Sequence, residues 1–216
     1  MRAALIALAF LVSGLVAGRA ADAKRIVIME PPLARACPTA KSWPALVDCM
    51  KLHRLKATIV RQVDDAKLLV VQSDEAKHGE IETWALYVAA GTGWKLGGLS
   101  QSGGNLADVE VLRFERVTSG THHGYRFDIA MSSQSSVSLD QVTVQTSLLR
   151  ETEATFCSGI GYSCMTIVPS CEQVVFGQTI LAFDGKITLA GNVINVTGTG
   201  TSPSCSSAAT YGAMLQ

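Results

Sequence analysis

The sequence predicts a mainly β protein: an antiparallel sandwich or strongly curved sheet of about ten to twelve short strands, with one N-terminal helix. Three observations predict this fold class. Alternating apolar and polar runs recur at roughly 8–12-residue spacing, turn residues separate these runs, and one segment has helical periodicity. Because helices do not alternate with the strands and no repeat of fixed period is found, the pattern disfavours a parallel α/β fold, a propeller or a β-solenoid.

The chain begins with a segment that is typical of a secretory signal peptide. Arg2 precedes an apolar run over Ala3–Val16, and the small-residue exit Ala21-Asp22-Ala23 follows. The apolar run is too short to cross a bilayer as a helix, which needs about 20 residues. We therefore expect cleavage near Ala23, with cleavage after Ala20 or Ala21 as the alternative. The mature chain, residues 24–216, would be one secreted or periplasmic domain without a transmembrane segment.

The charge balance argues against nucleic acid as a partner. The chain has 18 basic and 18 acidic residues, and removal of the leader takes away Arg2, Arg19 and Asp22, which leaves a net charge of −1. A nearly neutral protein has no long-range field that attracts polyanions. Charged residues are sparse after Ser132, where serine, threonine and glycine fill the polar positions, a composition common in extracellular β-structure.

The first elements are a short strand and the helix. Lys24–Met29 can open a sheet, and Pro31 and Pro32 end it because proline cannot donate to a β-ladder. Ser42–His53 is the helix: Ser42 can cap it, Pro44 suits its first turn, and its apolar residues share one face.

Extended segments with turn residues between them make up the rest of the chain. A Ser/Gly-rich stretch at 101–105 is the best candidate for an internal break between two halves of one sheet system. The predicted strands are Lys56–Val63, Lys67–Gln72, Glu80–Ala89, Trp94–Leu96, Val109–Val117, Tyr125–Met131, Val142–Leu148, Val174–Phe176, Thr179–Phe183, Ile187–Ala190 and Val193–Thr197.

Six cysteines in an exported chain predict a set of disulfide bonds. Local spacing favours Cys37 with Cys49 and Cys157 with Cys164, which leaves Cys171 for Cys205; pairing of Cys157 with Cys171 or Cys205 stays open. The C-terminal series Cys157, Cys164 and Cys171, with six residues between successive cysteines, lacks the close CxxC pairs and nearby histidine of a zinc site. The sequence therefore predicts no metal site and no cofactor.

Several polar groups could carry chemistry, but each has a simpler structural interpretation. His78, Glu80 and Glu82 would share one face of a strand and could bind a divalent ion, yet they fit the solvent face of that strand. His122 and His123 fit an exposed turn. The acidic pairs Asp64-Asp65 and Asp74-Glu75 also occupy predicted turns, where acids are common.

Two further features bear on binding. Trp43, Trp84 and Trp94 could line a sugar or peptide groove if exposed together, whereas separate burial would make them core residues, which is the favoured interpretation. Asn195-Val196-Thr197 matches a glycosylation acceptor.

No motif in the sequence identifies a reaction, and no catalytic residue is predicted. The leading hypothesis is an exported, non-catalytic β-domain that acts as a binding protein or as an envelope or extracellular structural protein. Its partner would be an unknown protein, glycan or small molecule. The alternatives are an exported hydrolase that uses His78, Glu80 or His122 from an assembled site, and a carrier of a small apolar ligand. A binding module predicts an exposed apolar patch or an unpaired sheet edge.

Overall fold

The computed structural model describes residues 32–73, 83–101, 108–139, 142–201, 209–212 and 215. The predicted signal peptide and the predicted strand at 24–29 lie outside these residues. Two helices come first, α1 over Pro32–Ala36 and α2 over Trp43–Leu52. Helix α2 confirms the predicted helix, while the five-residue α1 was not predicted. Neither described helix is long and apolar enough to cross a membrane.

The first sheet is antiparallel and has five strands. Its strands are β1 (Thr39–Ala40), β2 (Leu55–Val63), β3 (Ala66–Ser73), β4 (Thr83–Ala90) and β5 (Gly93–Ser100). They lie in the order β1-β5-β4-β3-β2, so β2 is an edge strand. The β4–β5 turn uses Gly91 at φ 59°, a conformation that glycine adopts without steric cost.

The second sheet is also antiparallel and has seven described strands. They are β6 (Val109–Ser119), β7 (His122–Leu139), β8 (Val142–Cys157), β9 (Cys164–Val175), β10 (Gln178–Ala190), β11 (Val193–Thr201) and β12 (Ala209–Gly212). Each pairs with its neighbour in sequence. The chain passes from one sheet to the other between Ser100 and Val109, around the predicted break at 101–105. The division of the chain into domains stays a prediction.

The two sheets pack face to face over an apolar core. Trp84 of β4 meets Phe127 of β7 with 5.7 Å between ring centroids, and both side chains are almost fully buried. Other members of this core are Leu68, Val70, Leu86, Tyr125 and Ile129. A polar contact at its margin also joins the sheets, because the Tyr125 hydroxyl donates a 2.8 Å hydrogen bond to Asp65. Burial, and then this hydrogen bond, raise the pKa of Tyr125 above its ordinary value.

Helix α2 covers the other face of the first sheet. Leu46 and Met50 of the helix are buried against Leu69, and Leu33 of α1 joins the same cluster. The buried Tyr87 hydroxyl donates to the Cys37 carbonyl at 2.7 Å, which fixes the segment between the two helices. This second core holds α2 beside the edge of the sheet, where the candidate site lies.

A third core shows that the seven-stranded sheet is strongly curved. Phe156 of β8 and Ile194 of β11 belong to one buried cluster although two strands separate β8 from β11. In addition, the Gly191 amide of the β10–β11 turn donates to Ser119 Oγ of β6 at 2.7 Å. The sheet therefore curls until its two ends approach each other, so that the fold combines a sandwich with a curved sheet.

Two of the three predicted disulfide bonds are present. Cys37 is bonded to Cys49 and ties the end of α1 to α2, whereas Cys157 is bonded to Cys164 and closes the β8–β9 connection. Cys205, the predicted partner of Cys171, lies outside the described residues. Disulfides of this kind are consistent with an extracellular or periplasmic location.

The structure confirms the mainly β fold but differs from the sequence prediction in strand length. The expectation of short strands was wrong for β7 and β8, which have 18 and 16 residues. Most of β9 was also missed. Pro169 interrupts its pattern, and the structure places Pro169 at an irregularity in the β8–β9 register, where a proline need not donate to the ladder.

Candidate functional site

The candidate site lies between helix α2 and the edge strand β2. The helix begins where the sequence predicts, since the Ser42 side chain accepts a hydrogen bond from the Ala45 amide at 3.3 Å. From this start, Trp43, Val47 and Lys51 follow one another at intervals of four residues along one stripe of the helix. Because Leu46 and Met50 point into the core, this stripe lies at the side of the helix that borders β2.

Strand β2 leaves part of its backbone without a neighbouring strand. It pairs with β3 on one side, and no described strand pairs with its other side. A β-bulge between Ile59 and Arg61 divides the strand. Beyond the bulge, Arg61 Nη2 donates to the Val111 carbonyl of β6 at 3.0 Å. Among the described strands, none therefore covers the outer side of β2 before the bulge, and an uncovered strand edge can pair with another chain.

Helix and strand enclose a groove of about 520 Å³. Its volume is in the range of ordinary ligand sites. Consecutive residues of β2 line it, so the backbone edge of the strand, and not one face of the sheet, forms its floor. The lining residues are Trp43, Val47, Met50, Lys51, Leu55, Lys56, Ala57, Thr58 and Ile59.

The groove is apolar in the middle and basic at one end. Ile59 is 41% exposed although its cross-strand partner, Leu69, is buried, so the apolar surface of the sheet continues beyond the cover of the helix. Lys51 and Lys56 line the basic end, and none of the described lining residues is acidic. Asp48 is the nearest counter-charge on the helix, 3.9 Å from Lys51 in an exposed pair that contributes little.

The three tryptophans divide between surface and core. Trp84 is buried between the sheets, as the favoured interpretation expected. Trp43 and Trp94, however, are half-buried and meet edge to face with 5.3 Å between ring centroids. Lys67 Nζ lies 5.3 Å and 5.2 Å from these two rings, so an internal cation already occupies the aromatic surface. Trp43 therefore lines the groove with its ring packed against Trp94 and Lys67.

An acidic cleft of about 580 Å³ lies on the second sheet. Asp108, just before β6, and Glu110 of β6 border it, together with Glu151 of β8 and Glu172 of β9. Arg150 forms an ion pair with Glu172 at 3.0 Å. Burial raises the pKa of the Glu151 carboxyl above its ordinary value. None of the described residues that line this cleft is a histidine. The hydrolase hypothesis is therefore left with one acid of altered pKa, Glu151, and no described catalytic partner for it.

We expect Glu151→Gln to stabilise the protein at neutral pH. Because the pKa of Glu151 is higher in the folded than in the unfolded chain, ionisation of Glu151 opposes folding above the folded pKa. Glutamine removes this cost. The gain in the free energy of unfolding should therefore be present at about pH 8 and vanish as the pH falls toward the pKa of an unfolded glutamate, about 4.3. Urea unfolding at several pH values measures it, and an equal gain at all pH values contradicts the assignment.

The remaining candidate residues do not assemble into a site. His122 is half-buried and His123 exposed at the start of β7, and neither side chain makes a hydrogen bond or ion pair with a described residue. Asp64 and Asp65 lie in the β2–β3 turn, where Asp65 instead accepts the Tyr125 bond between the sheets. His78, Glu80 and Glu82, together with Asp74 and Glu75, lie outside the described residues.

The groove was not predicted from the sequence. Val47 and Ile59 are ordinary apolar positions of a helix and a strand, and only the strand order, which makes β2 an edge, exposes them to a shared space. The sole sequence signal was the concentration of basic residues around the α2–β2 turn, Lys51, Arg54 and Lys56. Comparison with protein-family models, curated proteins and solved structures finds no match for this chain.

Proposed function

We propose that this protein is an exported, non-catalytic binding module that captures an extended peptide segment of a partner in the groove between α2 and β2. The observation that supports this proposal is that β2 ends its sheet, with no described strand on its outer side, beside an apolar groove. A peptide that adds to a sheet edge gains main-chain hydrogen bonds, and adjacent pockets read alternate side chains.

The groove favours a particular chemistry in the captured peptide. Trp43, Val47 and Ile59 would contact apolar side chains on the side that faces the helix. Lys51 would meet acidic side chains near the end of the segment that lies by the α2–β2 turn. The proposed partner is therefore a protein with an exposed extended segment in which apolar residues are flanked by acidic ones.

A second open strand edge, on β7, is a less suitable site for peptide binding. Strand β6 covers β7 only as far as Met131, and residues 132–138 of β7 are all exposed. Serine and glutamine fill most of this stretch. Since main-chain bonding alone gives affinity without selectivity, β7 is the weaker candidate.

Two matched peptides test the proposal. The sequence Thr-Asp-Val-Ile-Val-Asp-Thr, blocked at both ends, has the expected chemistry, and Thr-Lys-Val-Ile-Val-Lys-Thr reverses its charge. We expect the acidic peptide to bind more tightly and to shift the NMR signals of the Lys56–Ile59 amides and of the Trp43 indole. Equal binding of both peptides, or shifts confined to residues 132–138 of β7, would contradict the proposal.

Ile59→Asp should weaken binding of the acidic peptide by about tenfold or more. The substitution removes an apolar contact and places a negative charge beside the acidic peptide. Ile59 is 41% exposed, so the fold should tolerate aspartate. Leu52→Asp is the matched control, because Leu52 is 80% exposed and does not line the groove. Titration calorimetry measures both variants, and an equal loss of affinity in the two would contradict a role of the groove.

A further inference from the structure

Three potential metal ligands meet at the end of helix α2. The Sγ atoms of Cys37 and Cys49 and a ring nitrogen of His53 all lie within 4.8 Å of one another. Cys37 is buried, Cys49 is half-buried and His53 is exposed, so solvent reaches the group from one side. The described part of the chain contains no second group of this kind.

The local structure places the histidine beside the disulfide bond. His53 follows the last residue of α2, and its amide bonds to the Cys49 carbonyl at 3.2 Å, which continues the helical turn. Residues four apart on a helix lie on the same side, so the imidazole stands above Cys49. The spacing that argues against zinc belongs to the C-terminal cysteines, whereas Cys37, Cys49 and His53 are brought together by the fold.

We propose that reduction of the Cys37–Cys49 bond creates a zinc site made by Cys37, Cys49 and His53, with the fourth position open to solvent. Two thiolates and an imidazole are ligands that zinc prefers, and three protein ligands with an open position give a known tetrahedral arrangement. In the oxidised protein the sulfurs are bonded to each other and carry no thiolate charge. The disulfide therefore acts as a redox gate on metal binding.

The reaction requires an external dithiol. The dithiol transfers two electrons and two protons to the Cys37–Cys49 bond, which breaks to give two thiols, while the dithiol becomes a disulfide. Zinc then binds both sulfurs as thiolates, which releases two protons to solvent, and binds the neutral imidazole of His53. Zinc binding should consequently weaken as the pH falls.

The surrounding structure keeps the ligands together after reduction. Leu46 and Met50 anchor α2 in the core, and Leu33 anchors the segment that precedes Cys37. The Ala36 carbonyl lies 3.3 Å from Cys49 Sγ and can accept a hydrogen bond from the reduced thiol. The site is therefore largely formed before the metal arrives.

Zinc titration of the full, untagged chain tests the proposal. With a phosphine reductant we expect one Zn²⁺ per chain, and with Co²⁺ the visible absorption of a tetrahedral thiolate site. The oxidised protein should bind neither ion there. His53→Ala should lower the affinity by about tenfold or more, whereas His123→Ala, at an exposed histidine outside the site, should not change it.

Three results would overturn the proposal: equal zinc binding by the oxidised chain, unchanged affinity in His53→Ala, or loss of the β signal in far-UV circular dichroism on reduction. The double variant Cys157→Ala/Cys164→Ala separates the two described disulfides. It should keep the zinc site, since those sulfurs do not belong to it, and loss of zinc binding in a folded double variant would also count against the assignment.

Discussion

Gly98→Ala is expected to destabilise the protein by about 2–3 kcal/mol, and Gly98→Val by more. A Cβ at this position of β5 would overlap Cys164 Sγ and lie 2.7 Å from Cys157 Sγ. The disulfide thus packs directly on the backbone of the opposite sheet. It cannot withdraw easily, because the Gly159 amide of the loop that it closes donates to the Gly97 carbonyl at 3.1 Å. Urea unfolding followed by circular dichroism gives the change in stability.

Gly120→Ala is the matched control for Gly98. Gly120 has φ 62° in the β6–β7 turn, and no atom would lie within 4 Å of its added Cβ. Its substitution should cost about 1–2 kcal/mol through backbone conformation alone. Gly98 does not have a positive φ, so its cost is steric. An unfolding midpoint of Gly98→Ala equal to that of the natural protein would show that β5 and the disulfide do not pack as described.

Features that depend on neighbouring residues could be predicted from the sequence. Ser42 and Pro44 define the start of α2 within a few residues, so the helix was found with its cap. Alternation over Tyr125–Met131 predicted part of β7, and the predicted strands Glu80–Ala89 and Trp94–Leu96 leave the β4–β5 turn, with Gly91 at positive φ, between them. In each case the physical cause, a cap, a pleat or a positive φ, acts over a few residues.

Features that depend on distant residues could not be predicted. The groove exists because β2 is the last strand of its sheet, with no described strand on its outer side, and nothing in Leu55–Val63 itself indicates this position. The curl of the second sheet depends on a bond between Ser119 and Gly191. Most of strand β9 could not be predicted because Pro169 interrupts its alternation of apolar and polar residues. Only its pairing with the neighbouring strand identifies it as one strand. Strand order and register therefore decide the candidate site.

Phe127→Ala and Trp84→Ala are each expected to lower the free energy of unfolding by about 3–5 kcal/mol. Both rings are fully buried and lie 5.7 Å apart between the two sheets, so removal of either leaves a cavity in the core that unites them. The groove proposal requires only an intact first sheet, whereas this prediction tests the packing of that sheet on the second.

A double-mutant cycle shows whether the rings act together. If Trp84 and Phe127 pack on each other, their joint loss should differ from the sum of the single losses by about 0.5–3 kcal/mol, because the second substitution enlarges an existing cavity. Phe176→Ala is the control, since Phe176 is 71% exposed and should change stability by less than about 0.5 kcal/mol. Additive losses at Trp84 and Phe127 would mean that the rings occupy separate cores, so that the sheets would not form the sandwich described. Losses that are not additive would show that Phe127 of the curved sheet packs on Trp84 of the sheet that carries the groove.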